Sequence, residues 1–167
     1  MSTQPQLLQI PLDPGDVVYT PDWVAKDMVE FFRPTGRILE PCKGDGVFLK
    51  YLPGNTEWCE ISEGRDFFAW TEQVDWVFGN PPYATFYEWL MHSFRISKNI
   101  VYLVPVYKCF TGDRTIRAIQ EYGGIVNILY YGSGRKIGLP FGLALGAIHI
   151  KRNYTGPMYT TIAERAE

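Results

Sequence analysis

Arg37-Ile38-Leu39-Glu40-Pro41-Cys42-Lys43-Gly44-Asp45-Gly46 is the stretch that decides the fold. A short apolar strand ends in a carboxylate, a proline and two glycines, and Val47, Phe48, Leu49, Tyr51 and Leu52 follow at helical spacing. Strand, glycine turn and helix is the opening unit of an open α/β sheet, whose ligands sit outside the carboxyl ends of parallel strands. Gly44 and Gly46 let the chain turn tightly and let a ligand approach the backbone. The spacing is neither that of the dinucleotide fingerprint nor that of the Walker loop. An acid at the strand end repels a phosphate and attracts a cation. Glu40 therefore points to a positively charged ligand, unless the segment is merely a turn between strand and helix.

The same reading extends downstream. Thr56-Glu57-Trp58-Cys59-Glu60-Ile61 is a second strand, ending in another carboxylate, and Glu60 lies 14 residues after Gly46, close to where an acid commonly accepts from a ribose diol. Only residues 61–65 separate it from Asp66-Phe67-Phe68, so no crossover helix fits and a tight return is predicted. Asp66 suits accepting from an amino group while Phe67 or Phe68 covers a ring; the alternative is a helix N-cap beside core aromatics. Asp75-Trp76-Val77-Phe78-Gly79 is a buried strand stopped by Asn80-Pro81-Pro82-Tyr83. Two prolines remove backbone donors and fix φ, so the strand end stays rigid and presents an amide, a carbonyl and a ring. Such a set grips an exocyclic amino group on a flat heterocycle. The alternative is a strand that simply ends in a Pro-Pro turn, with Tyr83 half-buried.

On the other side of the glycine turn, residues 1–16 read as an arm without a core. Tyr19-Thr20-Pro21 opens a helix, with Thr20 as N-cap, Pro21 at the first helical position, and Val24, Met28, Phe31 and Phe32 forming one apolar stripe. Phe86, Trp89, Leu90 and Phe94 mark a second helix and residues 111–122 a third. Ile100-Val101-Tyr102-Leu103-Val104 has the continuous apolar run of a strand buried on both faces. Residues 125–131 and 143–150 are two further strands, joined by Gly132-Ser133-Gly134-Arg135-Lys136-Ile137-Gly138-Leu139-Pro140-Phe141, a basic, glycine-rich loop. A short polar tail is expected from about Thr155, and one domain over residues 1–167.

Composition narrows the class. A chain of 167 residues that is 46% hydrophobic and 16% aromatic is not a disordered segment. No apolar stretch reaches the ~20 residues of a membrane span, and residues 1–9 lack a signal-peptide pattern, so a cytoplasmic protein without a membrane partner is expected. Cys42, Cys59 and Cys109 are odd in number and widely spaced, which indicates neither a disulfide framework nor a metal site. Charge is segregated: residues 1–83 hold 6 Lys+Arg against 13 Asp+Glu, whereas residues 84–167 hold 10 against 5. A basic second half steers a nucleic acid toward one face, or else reflects an uneven but solvated surface.

Together these landmarks resemble the adenine-N6 DNA methyltransferases, in the group whose cofactor motif precedes the catalytic one. The resemblance covers residues 19 to about 152. Tyr19-Thr20-Pro21 is similar to the motif that closes over the methionine part of S-adenosyl-L-methionine, and Glu40-Pro41-Cys42-Lys43-Gly44-Asp45-Gly46 to the acid-Pro-x-x-Gly-x-Gly loop. Glu60 resembles the ribose-binding acid, Asp66-Phe67 the pair that reads the cofactor's adenine, and Asn80-Pro81-Pro82-Tyr83 the catalytic tetrapeptide. Phe141 is similar to the aromatic that packs on the extruded base. The tetrapeptide also occurs in RNA methyltransferases and in glutamine-N5 protein methyltransferases, so it implies an amino-group acceptor more firmly than it implies DNA. Three departures stand out. The return after Glu60 is short enough that the sheet lacks or shortens a strand; Lys43 places a cation in a loop expected to meet a sulfonium; and no segment is left for target recognition.

The resemblance implies a Rossmann-like class I methyltransferase domain, α/β, with a mostly parallel sheet and an antiparallel last strand. It implies S-adenosyl-L-methionine as cofactor, adenine-N6 methylation of DNA within restriction-modification as function, and DNA or RNA as partner, with a specificity subunit or self-association. Asn80 and the Pro81 carbonyl would accept the two amine hydrogens, Pro82 would stiffen the turn and Tyr83 would stack on the base. Arg135 and Lys136 would meet the substrate backbone. Cys42 lies in the cofactor loop, where attack on a base is implausible. The alternatives are methylation of RNA adenine or of a protein glutamine amide, and a non-catalytic cofactor-binding subunit.

Overall fold

A computed structural model describes residues 18–165, so the expected arm at residues 1–16 lies outside the described residues. Among them one sheet contains β1 (Ile38–Glu40), β2 (Glu57–Trp58), β3 (Val74–Gly79), β4 (Ser97–Pro105), β5 (Gly123–Ser133), β6 (Ala144–Arg152) and β7 (Tyr159–Ile162). Their spatial order is β2-β1-β3-β4-β6-β5-β7. β1 pairs in parallel with β2 and β3, β3 with β4, and β5 with β7. Only β6 runs against its neighbours, β4 and β5. This is the expected α/β sheet, and the antiparallel strand is the one that the hydropathy pattern places last. A further strand, β7, occupies part of the segment read as a polar tail.

The helices α1 (Asp22–Phe32), α2 (Phe86–Ile96) and α3 (Asp113–Tyr122) cover both faces. Alternation along β4 shows why its apolar run is unbroken. Ile100, Tyr102 and Val104 pack on the side of Leu90 from α2 and Ile119 from α3, whereas Val101 and Leu103 pack on the side of Val24 and Met28 from α1. No helix among the described residues is long and apolar enough to cross a membrane.

Two local expectations change and a third is met. The helix expected after Gly46 is a single 3-10 turn, Phe48–Lys50, because Pro53-Gly54 follows too soon for an α-helix to propagate. Thr20 is not the N-cap: Pro21 holds that place, and its carbonyl accepts from Val24 N–H at 3.0 Å and Ala25 N–H at 3.1 Å. β2 has two residues, and the chain returns to β3 through the 3-10 turns Ile61–Glu63 and Phe67–Ala69, so the shortened edge is realised.

Candidate active site

β1 leaves the sheet at Glu40 and β3 at Gly79, and the register that pairs Leu39 with Val77 sets these ends side by side. The strand order reverses between them, which opens a crevice at the carboxyl edge. Glu40 is buried at this edge, 1% exposed. Its Oε1 accepts from Cys42 N–H at 3.0 Å, while its Oε2 is buried without a partner. Burial pushes the Glu40 pKa up to about 8; the Cys42 hydrogen bonds oppose the shift, and the Glu60 and Asp45 charges add to it. Gly79 makes the arrangement sterically feasible. A β-carbon there would collide with Glu40 Oε1 and sit 3.1 Å from Pro41 Cδ.

The tetrapeptide follows directly. Asn80 Nδ2 donates to Thr20 Oγ1 at 3.0 Å, and Asn80 Oδ1 is buried with no partner. Thr20, read as a helix cap, instead fixes the orientation of the amide and leaves its oxygen as the unpartnered atom. The Cys42 thiol donates to the Asn80 carbonyl at 3.1 Å, tying the glycine loop to the tetrapeptide. Burial holds that thiol well above its usual pKa, in keeping with a donor and not a nucleophile. Pro81 is buried, Pro82 is half-buried, and the Tyr83 hydroxyl is buried without a hydrogen-bond partner. Phe141 meets Tyr83 edge to face, with ring centroids 6.1 Å apart and planes at 87°. The two aromatics are thus brought together, but as a closed corner and not as parallel jaws.

On the opposite wall, Gly44 and Gly46 take φ values of 54° and 84°, which a side chain disfavours. The exposed ring of Tyr19 lies over the first, 3.6 Å from where a β-carbon would stand. Glu60 accepts from Gly44 N–H at 2.9 Å through Oε2 and from Ser62 N–H and Oγ at 3.1 and 2.7 Å through Oε1. Burial raises its pKa, but these hydrogen bonds outweigh it and hold the carboxylate below the usual range. About one of its four lone-pair sites remains for a diol.

Asp66 and Phe67 conform to the blander reading. Asp66 Oδ1 caps the 3-10 turn by accepting from Phe68 N–H at 2.9 Å, and Phe67 is 2% exposed and stacked on Trp89 with centroids 4.7 Å apart. The Phe67 ring is therefore part of the core, while Phe68 is the exposed ring of the pair. Lys43 turns away from the crevice: its Nζ pairs with Glu63 at 2.7 Å and stands 4.1 Å from the Trp58 ring centroid. Arg135 and Lys136 are exposed on a 3-10 turn, Gly134–Ile137, within the basic, glycine-rich loop. The sequence offered no sign of the Thr20–Asn80 bond. β7 did leave a sign, the β-branched and aromatic run Tyr159-Thr160-Thr161-Ile162.

No protein-family model and no curated protein sequence matches the chain. Solved structures do. The chain is similar to the type I restriction-modification system methyltransferase subunit from Streptococcus thermophilus, at 18% identity and a TM-score of 0.65 over 86% of this chain and 47% of that one. It is also similar to a class I S-adenosylmethionine-dependent methyltransferase from Listeria monocytogenes (15% identity, TM-score 0.62, 92% and 68% covered). A 23S rRNA methyltransferase matches as well (10% identity, TM-score 0.60, 81% and 70% covered). The chain spans about half the length of the type I subunit. At these identities the likeness is one of fold, the Rossmann-like fold that these class I methyltransferase structures share.

Proposed function

We propose that the chain is an S-adenosyl-L-methionine-dependent methyltransferase acting on the N6 amino group of adenine in DNA. The observation that carries this reading is Asn80, whose amide is held by Thr20 while its Oδ1 stays buried and unpartnered at the end of β3. A buried acceptor without a partner is unfavourable, and a ligand amine relieves it. Two acceptors, Asn80 Oδ1 and the Pro81 carbonyl, would take both hydrogens of an exocyclic amine and leave its lone pair facing the glycine loop. Tyr83 would stack on the base, with Phe141 rotating from its edge contact to close the other face. Adenine would have to leave the duplex stack or come from a single strand.

The residues fit the cofactor. The carboxylates of Glu60 and Asp66 offer acceptors to a cation bearing an amine and a ribose diol, and Glu40 Oε2 is a buried oxygen without a partner that such a ligand would meet. Tyr19, Thr20 and Pro21 would cover its methionine end, and Gly44, Gly46, Pro41 and Cys42 would shape the floor. Asp66 would act through its second oxygen, with the Phe67 ring remaining in the core. When bound, the cofactor supplies an electrophilic methyl group. Arg135 and Lys136 would meet substrate phosphates, and a partner subunit or second copy would supply target recognition, in keeping with the type I protein's being described as a subunit.

The test is incubation with labelled S-adenosyl-L-methionine and, separately, DNA, RNA and protein, followed by nucleoside and amino-acid analysis. N6-methyladenine from DNA is expected. Label confined to RNA or to glutamine would transfer the site to that substrate; no label in any arm, with cofactor bound, would make the chain a non-catalytic subunit.

A further inference from the structure

An open cleft of about 570 Å³ adjoins the proposed active site, between the Tyr19–Trp23 corner, the turn carrying Arg135 and Lys136, and Arg165. We infer that this cleft is a phosphate-binding track for the backbone of a nucleic-acid substrate, and that Arg165, brought there by β7, is its third cation. The inference rests on the nucleic-acid reading above and adds a site and a residue to it.

The lining holds three cationic side chains and no carboxylate. Among the described residues none of the three forms an ion pair, so no carboxylate neutralises the lining. Like charges gathered in one concavity repel each other, and the arrangement becomes favourable when an anion enters. The cleft is joined to the chemistry at two points. Thr20 lines it and holds Asn80. Arg135 Nη1 lies 3.1 Å from where a β-carbon on Gly142 would stand, next to Phe141.

Arg165 is placed there by structure, not by chance of a polar tail. β7 pairs with β5, the Ala163 N–H donates to the Tyr130 carbonyl at 2.9 Å, and Ala163 packs against the core. Two residues later the Arg165 guanidinium stands 5.5 Å from the Trp23 ring centroid, against the cleft wall. A phosphate and the carboxylate of the methionine moiety share the anionic chemistry. Three cations suit a polyanion better than a cofactor that is itself net positive, and the acceptors complementary to that cofactor, Glu40 and Glu60, lie on the glycine-loop side.

The experiment uses the full chain and fluorescein-labelled adenine-containing oligonucleotides, as DNA duplex, DNA single strand and RNA. Dissociation constants are measured from about 50 to 200 mM salt. Arg165→Gln should weaken binding and reduce the log-log salt slope by about 0.9 on duplex or about 0.7 on a single strand, with Arg165→Lys restoring it. Adding Arg135→Gln and Lys136→Gln should bring the loss to about 2 or more, while calorimetric affinity for S-adenosyl-L-methionine stays at the wild-type value. An unchanged slope in Arg165→Gln overturns the inference, as does wild-type protein that binds none of the oligonucleotides. Weakened cofactor binding with an unchanged oligonucleotide slope assigns the cleft to the methionine carboxylate and also overturns it. Loss of slope in a protein that methylates no nucleic acid would leave the cleft standing and reject the proposed reaction.

Discussion

Thr20 Oγ1 accepts one hydrogen of the Asn80 amide, and that single bond decides that the amide oxygen is the atom left without a partner. Thr20→Val keeps the shape and removes the acceptor, so the amide is free to rotate. Turnover should fall by about 10-fold with a smaller change in KM, and Thr20→Ser should restore it. Asn80→Ala removes the acceptor itself and should lower turnover by about 10² or more while cofactor affinity stays near wild type; undiminished activity would reject the mechanism. Glu60 presents a different case. Three hydrogen bonds from Gly44 and Ser62 already occupy its carboxylate, so it shapes the glycine loop, and in the proposed complex it would also accept from a diol. Glu60→Ala should weaken S-adenosyl-L-methionine binding by about 1 to 3 kcal/mol, read by calorimetry.

At the scale of elements, the contact of β1 with β3 sets the site. Glu40 can be buried against β3 because residue 79 has no side chain. Gly79→Ala should therefore destabilise the protein by about 1 to 3 kcal/mol in denaturant titration, and adding Glu40→Ala should recover part of that loss. Full additivity of the two changes would show that they do not meet. The strands and helices with strong period, such as Ile100 to Val104 and the α1 stripe, were legible because apolar spacing reports burial directly. Strand ends and turns were less so. Thr20 looks like a cap from its neighbours Pro21 and Asp22, and its actual partner stands 60 residues away. Phe67 and Phe68 are indistinguishable by type, and only tertiary packing separates them: both meet Trp89, Phe67 by stacking in the core and Phe68 edge-on and exposed. The same holds for Lys43, whose removal from the crevice depends on Glu63 and Trp58. β7 was obscured by its polar surroundings although its own residues favour a strand.

For the whole molecule, the pH response of stability separates Glu40 from every other shifted group. Asp22, Glu57, Glu60 and Asp75 all have lowered pKa values, so their stabilisation is present above the ordinary carboxylate range and is lost only in acid. His149, buried and depressed to about 4, and His92, also depressed by burial, remain neutral in the fold; stability falls as pH drops through the ordinary histidine value toward theirs. Cys59 is raised to about 11 and Cys109 to about 12, so they act above pH 9. Glu40 alone among these is raised from 4.5 to about 8 by burial, and the folded chain retains its proton where the unfolded chain has released it. Its contribution is fully present at the acid end of that window and is lost as pH rises toward 8. Stability of the cofactor-free protein should therefore decline by about 1 kcal/mol between pH 7 and pH 8, and Glu40→Gln, which cannot titrate, should lose that slope whatever its absolute stability. Urea titrations of both proteins at several pH values read the difference. Parallel curves would place Glu40 in a solvated, ionised state and remove the buried carboxyl from the site.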